Sequence, residues 1–349
     1  MPTTSPSGPA LTVVIPTWNR ADMMTDALES VLGQSFTDFV VLVSDNASTD
    51  DTTTVVAAYA DPRIRYVRRD QNLGWLGNFN AALAEVTTPL VTILNDDDVM
   101  RPGALARATA VLAEHPSVVF VHTALDLMLP DGQLSVAATN WTHGLRVDTI
   151  EPGPTFIRRS MRYFGRVCPP SVVMRTAALP PVPFDPEDGA HADHTLHLSM
   201  ALDGSVAFLA TPGMAWRGHD GQDSNALCEF EPDGTQYLRV EPIAAMRDAK
   251  LRWIDSHAAR LRRVHFLRFQ VERFVAYEMV ERARAGFSRG RRVAWQRLME
   301  AMRRAPIALV EPRAWRVLAR LVMGEHVWSF AKRLLGRGAP DAAPLSSGA

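Results

Sequence analysis

The chain has 349 residues, 47% hydrophobic and 21% charged, which is ordinary globular usage and long enough for a catalytic domain with a substantial appendage. Its net charge of −1 conceals two unlike halves: residues 250–349 hold 21 Lys/Arg against 8 Asp/Glu, and residues 1–249 hold 16 against 30. Only Cys168 and Cys228 occur, with no His at a partnering spacing, so neither a disulfide framework nor a zinc site is suggested and both are read as ordinary thiols.

Residues 1–10 and 336–349 are rich in Pro, Ser, Gly and Ala and are expected to be loose tails. The first ten residues carry no positive charge, and no run reaches about 18 uninterrupted apolar residues, so a cytoplasmic protein is expected. Leu11 to Ile15 is a short β-branched run ending at Pro16, which predicts a buried strand. Asp22 to Leu32 has helical spacing through Met23, Ala27, Leu28 and Val31, and Gly33 can end it. Further strands are predicted at Phe39 to Val43, Ile64 to Val67, Leu90 to Leu94 and Val118 to His122. Helices are predicted at Thr52 to Tyr59, Trp75 to Val86 and from Pro102 to about Glu114.

This alternation predicts a mostly parallel α/β sheet with helices on both faces. After Asp126 the pattern changes to a hairpin-like turn at Pro130, Asp131 and Gly132 and an irregular stretch to about Pro154. Phe156 to Phe164 reads as a helix, Ser171 to Met174 as a strand and His191 to Leu202 as an amphipathic helix. Val206 to Leu209 and Met214 to Trp216 read as two strands, and residues from about Pro242 to Leu335 as Arg-rich helices.

Ligands of such sheets bind at the carboxyl ends of the strands. Thr17 to Arg20, Asp45 to Asp50 and Asn95 to Asp98 each follow a strand directly and should gather on one edge. Asp96, Asp97 and Asp98 raise one another's pKa unless something positive meets them, and they offer the hard oxygen ligands that magnesium and manganese take. An acidic turn capping the next helix explains the triplet equally well.

Taken together, Val13 to Arg20, Ser44 to Thr52, Asn72-Leu73-Gly74 and Leu94 to Asp98 resemble, in order and spacing, the family 2 glycosyltransferases with the GT-A fold. The resemblance runs from about Leu11 to Ser224. It implies that Pro16, Thr17, Asn19 and Asp45 hold the donor nucleotide. A carboxylate at Asp45 can accept from the imide N–H of uracil, thymine or guanine and does not choose among them. Asn72, Gly74 and Asn78 resemble the segment lying along the nucleotide, and Arg69 beside it is either a phosphate ligand or a solvated arginine. The family's run commonly begins with Asp, where this chain has the neutral Asn95. That departure leaves Asp97 as the direct metal ligand and Asn95 as a ribose partner. Asp96 is placed on the donor side and Asp98 on the metal side, and which of the two touches the ion stays open.

The resemblance also implies a general base, an acidic residue opening a helix behind an Asp-rich loop. His191 to Leu196 matches that segment, so Asp193 is the candidate base, although Ala192 replaces the Glu that many relatives carry; the alternative is a helix cap. Trp216-Arg217-Gly218-His219, with Ser224, resembles the segment that closes over the diphosphate. It suggests Arg217 for phosphate and His219 for metal or phosphate. Ser171, after Pro169-Pro170, lies in the acceptor-side segment. His191, His194 and His197 are read as acceptor-facing or solvent-facing.

The domain reading is a tail at 1–10, a GT-A domain at 11–240, a basic helical region at 241–335 and a tail at 336–349. Apolar faces through Leu251, Trp253, Ile254, Val264, Phe266, Leu267, Val271, Phe274 and Val275, and again through Trp315, Leu318, Leu321, Val322, Trp328, Phe330 and Leu334, are open to three uses. They can pack on the domain, join a homo-oligomer, or meet an anionic membrane peripherally on its inner face. No nucleic-acid recognition module is visible. The expected activity is inverting transfer from a nucleoside-diphosphate sugar to an acceptor hydroxyl with Mn2+ or Mg2+. A nucleotidyltransferase is the enzymatic rival, but Pro16-Thr17-Trp18-Asn19 is not its Gly-rich phosphate loop. A catalytically silent sugar-nucleotide scaffold is the other alternative, against which Asp45, Asp97 and Asp193 together argue.

Overall fold

Residues 8–129, 132–135, 145–163, 167–219, 221–222, 227–230 and 236–324 are described by the computed structural model. The expectations for Pro130 and Asp131, Phe164, Ser224, the last helical segment with Trp328, Phe330 and Leu334, and the tail at 336–349 fall outside them. The chain gathers into two units, Met1–Ser160 with Gly165–His219, and Met161–Phe164 with Asp220–Ala349.

In the first unit the β-branched run after the N-terminal tail forms β1 (Leu11–Thr17), every residue of which is buried. Helix α1 (Ala21–Leu32) follows and buries Met24, Ala27, Leu28 and Val31, so its apolar stripe passes through Met24 and leaves Met23 at the margin. Met24, Leu28 and Val31 each contribute about 1.5–3 kcal/mol by leaving water. Then come β2 (Phe39–Asp45), α2 (Thr52–Ala57), β3 (Ile64–Arg68), α3 (Gly74–Ala84), β4 (Leu90–Ile93), β5 (Val99–Met100) and α4 (Ala104–Glu114). The unit continues through β6 (Val118–Met128), β7 (Leu134–Ser135), β8 (Thr149–Pro152), α5 (Gly153–Ser160), β9 (Val172–Arg175), α6 (Ala192–Met200) and β10 (Ser205–Arg217).

The sheet runs β3-β2-β1-β4-β9-β6-β10-β5, with β7 beside β6 and β8 beside β10. Strands β3, β2, β1 and β4 are parallel, as are β6 and β10, while β9 lies antiparallel between β4 and β6. The register sets Thr17 opposite Asp45 and Asp45 opposite Arg68, so the polar clusters end at one level of the sheet. Beneath them Val13, Ile15, Leu28, Val41, Leu94 and Leu105 share one buried cluster.

Three local expectations need correction. The two late strands are one strand, β10, whose register against β6 shifts between Leu209 and Met214. Gly213 sits in that bulge because a Cβ there would come within 2.5 Å of the Thr123 hydroxyl. Helix α6 is not amphipathic: His194, Thr195, Leu196, His197 and Leu198 are all buried. The irregular stretch before Pro154 contains β8, which pairs antiparallel with β10.

The second unit contains β11 (Cys228–Phe230) and β12 (Gln236–Leu238), paired antiparallel, then α7 (Val240–Ser256), α8 (Val264–Ala285), α9 (Arg291–Arg304) and α10 (Pro312–Met323). Ile243, Met246, Phe274, Met279, Val280, Leu298, Val317 and Leu321 form its core. The division thus falls after His219 and not near residue 240, because the β11–β12 hairpin packs with these helices. Tyr237 carries that attachment: its hydroxyl accepts from Arg297 at 2.7 Å, and the Arg297 guanidinium lies 4.8 Å from the ring centre. Arg297 and Lys250 are buried, so the positive charge of this region is not wholly a solvated face.

Candidate active site

Backbone turns at the ends of β1 and β2 shape the nucleotide side. Asn19 and Ala47 adopt left-handed φ values of 53° and 63°, unusual outside glycine and costly for alanine. Asn19 uses that conformation to join the two turns. Its backbone N–H donates to the Ser48 hydroxyl at 2.9 Å, and its side-chain oxygen accepts from the Thr49 N–H at 2.7 Å. Pro16 and Thr17 complete β1 as buried backbone directly before this turn.

Asp45 is fully buried at the end of β2. One oxygen accepts from the Ser48 N–H at 2.8 Å, and the other accepts from the Tyr66 hydroxyl and stands 3.7 Å from Arg68. The carboxylate is thus oriented from both sides by groups of the β2 turn and β3. Burial first, then the neighbouring carboxylate, pushes the Tyr66 hydroxyl up to about 12, which keeps it a donor.

Asn46, within the Ser44 to Thr52 segment, is a further site-building residue. Its amide donates to the Asn72 side chain at 2.9 Å and the Gly74 carbonyl at 3.3 Å, and its oxygen accepts from the Leu73 N–H at 2.8 Å. The residues expected along the nucleotide are thereby tied to the β2 turn. Gly74 has φ +71°, a conformation that strains any L side chain. Asn78 is buried and bonded to Ser44 through both its oxygen and its amide, at 2.7 and 2.8 Å, so its side chain is occupied in docking α3 on β2. Arg69 is occupied too: it pairs with Glu85 at 2.6 Å and donates to Ser44 at 2.9 Å.

Burial separates the three acidic residues after β4, for Asp96 and Asp98 are buried while Asp97 keeps a partly exposed carboxylate. Burial, reinforced by the Asp97 charge, pushes Asp96 up to about 7 against the stabilising Thr17 hydroxyl and Trp18 N–H. Asp98 is raised well above the usual carboxylate range by burial and then by Asp97. It accepts from the Arg217 N–H at 3.1 Å and from the Asn95 amide at 3.2 Å, so Asn95 is engaged within the loop.

Asp97 meets two groups from distant parts of the sequence. Its Oδ2 accepts from Arg20 Nη1 at 2.7 Å and lies 3.1 Å from His219 Nε2, and Arg20 Nη1 is 3.2 Å from the same ring nitrogen. Arg217 braces the run from behind, donating from Nε to the Asp97 carbonyl at 3.0 Å and from Nη2 to Asp26 at 2.5 Å. Among the described residues no set of three His, Cys, Asp or Glu side chains could hold a metal unaided. The donor chemistry still fits a Mn2+ or Mg2+ ion. A carboxylate oxygen and an imidazole nitrogen 3.1 Å apart offer two ligands, and such ions complete their shells with water and substrate phosphate.

Asp193 stands in the first turn of α6, partly buried. Burial pushes its carboxyl up to about 6, opposed by the N–H groups of His194 and of Asp193 itself. Cys168 links this residue to the acidic loop. Its thiol is raised well above the usual range by burial and then by the charges of Asp98, Asp193 and Asp97. All three carboxylates therefore lie within electrostatic reach of one sulfur. Ser171 caps the same turn, its hydroxyl donating to the Cys168 carbonyl at 2.7 Å. The solvent-facing reading of the α6 histidines is overturned: His191, His194 and His197 are all buried. The His197 ring is 5.2 Å from that of Phe120, and burial lowers its pKa to about 3.

Comparison with known proteins agrees with this geometry. Residues 12–133 match the model of Glycosyl transferase family 2. The GalNAc(5)-diNAcBac-PP-undecaprenol beta-1,3-glucosyltransferase of Campylobacter jejuni is 39% identical over 101 residues, 28% of this chain and 33% of that protein. The succinoglycan biosynthesis protein ExoO of Rhizobium meliloti is 37% identical over 99 residues, 28% of each. The chain thus spans about a third or less of these relatives' length. The crystal structure of S. aureus TarS 1-349 in complex with UDP-GlcNAc superposes with a TM-score of 0.52 at 16% identity, over 84% of this chain and 91% of that one. Residues 12–133 are thus similar to Glycosyl transferase family 2, and the sheet that carries them has the GT-A fold.

Proposed function

We propose that the protein transfers a sugar from a nucleoside-diphosphate sugar to an acceptor hydroxyl with inversion, using Asp193 as general base. The observation that supports this reading is that Asp193, Asp97 and Asp98 all act on the Cys168 thiol while burial raises the Asp193 carboxyl at the start of α6. A carboxylate near pKa 6 is ionised at neutral pH yet is a better proton acceptor than an ordinary aspartate. The acceptor oxygen attacks the anomeric carbon on the face opposite the leaving group, and its proton passes to Asp193. The bond from the anomeric carbon to the phosphate oxygen breaks, and its electron pair leaves with the nucleoside diphosphate.

The turns around Asn19, Asp45, Asn46 and Gly74 position the nucleoside, and Arg20 and His219 face the diphosphate. A Mn2+ or Mg2+ ion at Asp97 and His219 would neutralise charge on the leaving diphosphate. The test is a panel of nucleotide sugars with Mn2+, read as donor hydrolysis and then as the anomeric configuration of the transferred sugar. Retention of configuration, or no turnover with any nucleotide sugar, rejects the reading.

A lipid-linked acceptor is favoured by the name of the C. jejuni relative, which specifies a PP-undecaprenol substrate. Among the described residues no helix is long and apolar enough to cross a membrane. The second unit instead exposes Trp295, Trp315 and Val322 among exposed Arg291, Arg292 and Arg316, a combination suited to an anionic lipid surface.

A further inference from the structure

We infer that Arg20 is the site's resident cation: it occupies the metal's ligands when no donor is present and surrenders them when a nucleoside diphosphate arrives. The inference deepens the proposed sugar transfer and rests on that reading. Its basis is the triangle formed by Arg20 Nη1, Asp97 Oδ2 and His219 Nε2, with sides of 2.7, 3.1 and 3.2 Å.

Arg20 draws on the same carboxylate oxygen, and faces the same imidazole nitrogen, that a divalent ion would need. Asp97 is the least buried of the three acidic residues, and only there does a guanidinium make direct contact with the run's carboxylates among the bonds described. A dication and a guanidinium on one oxygen repel each other, so an ion held between Asp97 Oδ2 and His219 Nε2 favours the departure of Arg20. Arg20 has somewhere to go. It stands at the start of α1, directly after the left-handed Asn19 turn, and its side chain is 23% exposed. A diphosphate offers a planar guanidinium two-pronged hydrogen bonding at least as strong as that to the carboxylate. Donor and metal therefore enter as one event: phosphate takes Arg20, and Asp97 with His219 takes the ion.

The test measures Mn2+ binding by electron paramagnetic resonance for wild type, Arg20→Ala, Arg20→Lys, Asp97→Asn and Arg101→Ala, without nucleotide and with uridine or guanosine diphosphate. Arg101 pairs with Asp126 at 3.0 Å, so its loss removes an equal charge from a different carboxylate. Arg20→Ala is expected to bind Mn2+ about tenfold more tightly than wild type without nucleotide, a change of about 1.4 kcal/mol. Saturating nucleoside diphosphate is expected to narrow that gap, with Arg20→Lys intermediate and Arg101→Ala unchanged. Equal or weaker Mn2+ binding by both Arg20 variants overturns the inference, as does equal tightening by Arg101→Ala. If Asp97→Asn binds Mn2+ as wild type does, with and without nucleotide, the metal assignment itself fails and takes the inference with it. Circular dichroism melts of each variant separate these outcomes from loss of fold.

Discussion

Arg217 fastens the end of β10 to Asp97, donating from Nε to the Asp97 carbonyl at 3.0 Å while its backbone N–H holds the neighbouring Asp98 at 3.1 Å. The acidic loop is therefore oriented from behind by a buried guanidinium that also reaches Asp26. Arg217→Ala is expected to lower stability by about 1–3 kcal/mol, the cost of stranding buried hydrogen-bond partners, and to reduce turnover at least tenfold through a looser Asp97. Urea unfolding beside steady-state kinetics checks both. Unchanged stability would mean that the brace is dispensable.

Asp97→Asn removes the charge that Arg20 and His219 share. Turnover is expected to vanish, and the metal-dependent part of nucleoside diphosphate affinity with it, while the melting temperature changes little. Calorimetry with and without a chelator reads this. A wild type that is fully active in the chelator would remove metal from the mechanism.

Asp193→Asn is expected to keep donor affinity and lose transfer by about 10² or more, the magnitude of a missing general base. Wild-type kcat/KM should fall as pH drops through about 6, where burial has placed this carboxyl. The same shift makes a stability prediction. A carboxyl raised from 3.8 to about 6 binds its proton more readily in the folded state. Folding is therefore favoured below pH 3.8 and loses that advantage as pH rises to 6. At neutral pH Asp193→Asn should be more stable than wild type, by at most about 3 kcal/mol. A collapse of donor affinity instead would make Asp193 a binding residue.

In the second unit, burial pushes Glu278 up to about 7 and pushes Lys250 down to about 7. Lys250 Nζ lies 4.1 Å from the Phe274 ring centre and donates to the Met161 and Tyr163 carbonyls at 3.4 and 2.5 Å. With its folded pKa raised from 4.5, Glu278 should cost the folded state stability as pH rises from 4.5 to 7. Glu278→Gln is expected to flatten that part of the stability profile, measured by thermal melts across pH 4 to 8. A slope identical to wild type would show that Glu278 does not titrate within that window.

Co-sedimentation tests the basic helices. Binding to anionic vesicles is expected, with each nearby basic side chain worth about 1 kcal/mol before screening, and it should weaken at higher salt. Neutral vesicles should bind little. Trp315→Ala, removing a side chain that is 56% exposed, should reduce binding without unfolding α10, whose buried residues are Ala314, Val317 and Leu321. Equal binding to both vesicle types rejects the membrane reading.

The alternation of apolar runs with polar turns from Leu11 to His122 was enough to specify a parallel α/β sheet, because period and length distinguish strand from helix locally. The clusters around Thr17, Asp45 and Asn95 to Asp98 were legible for the same reason, each following its strand directly. What sequence spacing could not supply was the partner of each polar group. Arg20 and His219 are separated by most of the first unit yet meet on Asp97, while Asn78, expected along the nucleotide, and Arg69, read as a phosphate ligand or a solvated arginine, are both bonded to Ser44. The solvent-facing alternative for His191, His194 and His197 fails because exposure depends on what covers them, for His197 including Phe120 from a strand far away in the chain. Local propensity writes the elements and their order. Burial, pairing and the resulting shifts at Asp96, Asp98 and Asp193 arise only when distant side chains exclude water together, which is a property of the tertiary structure.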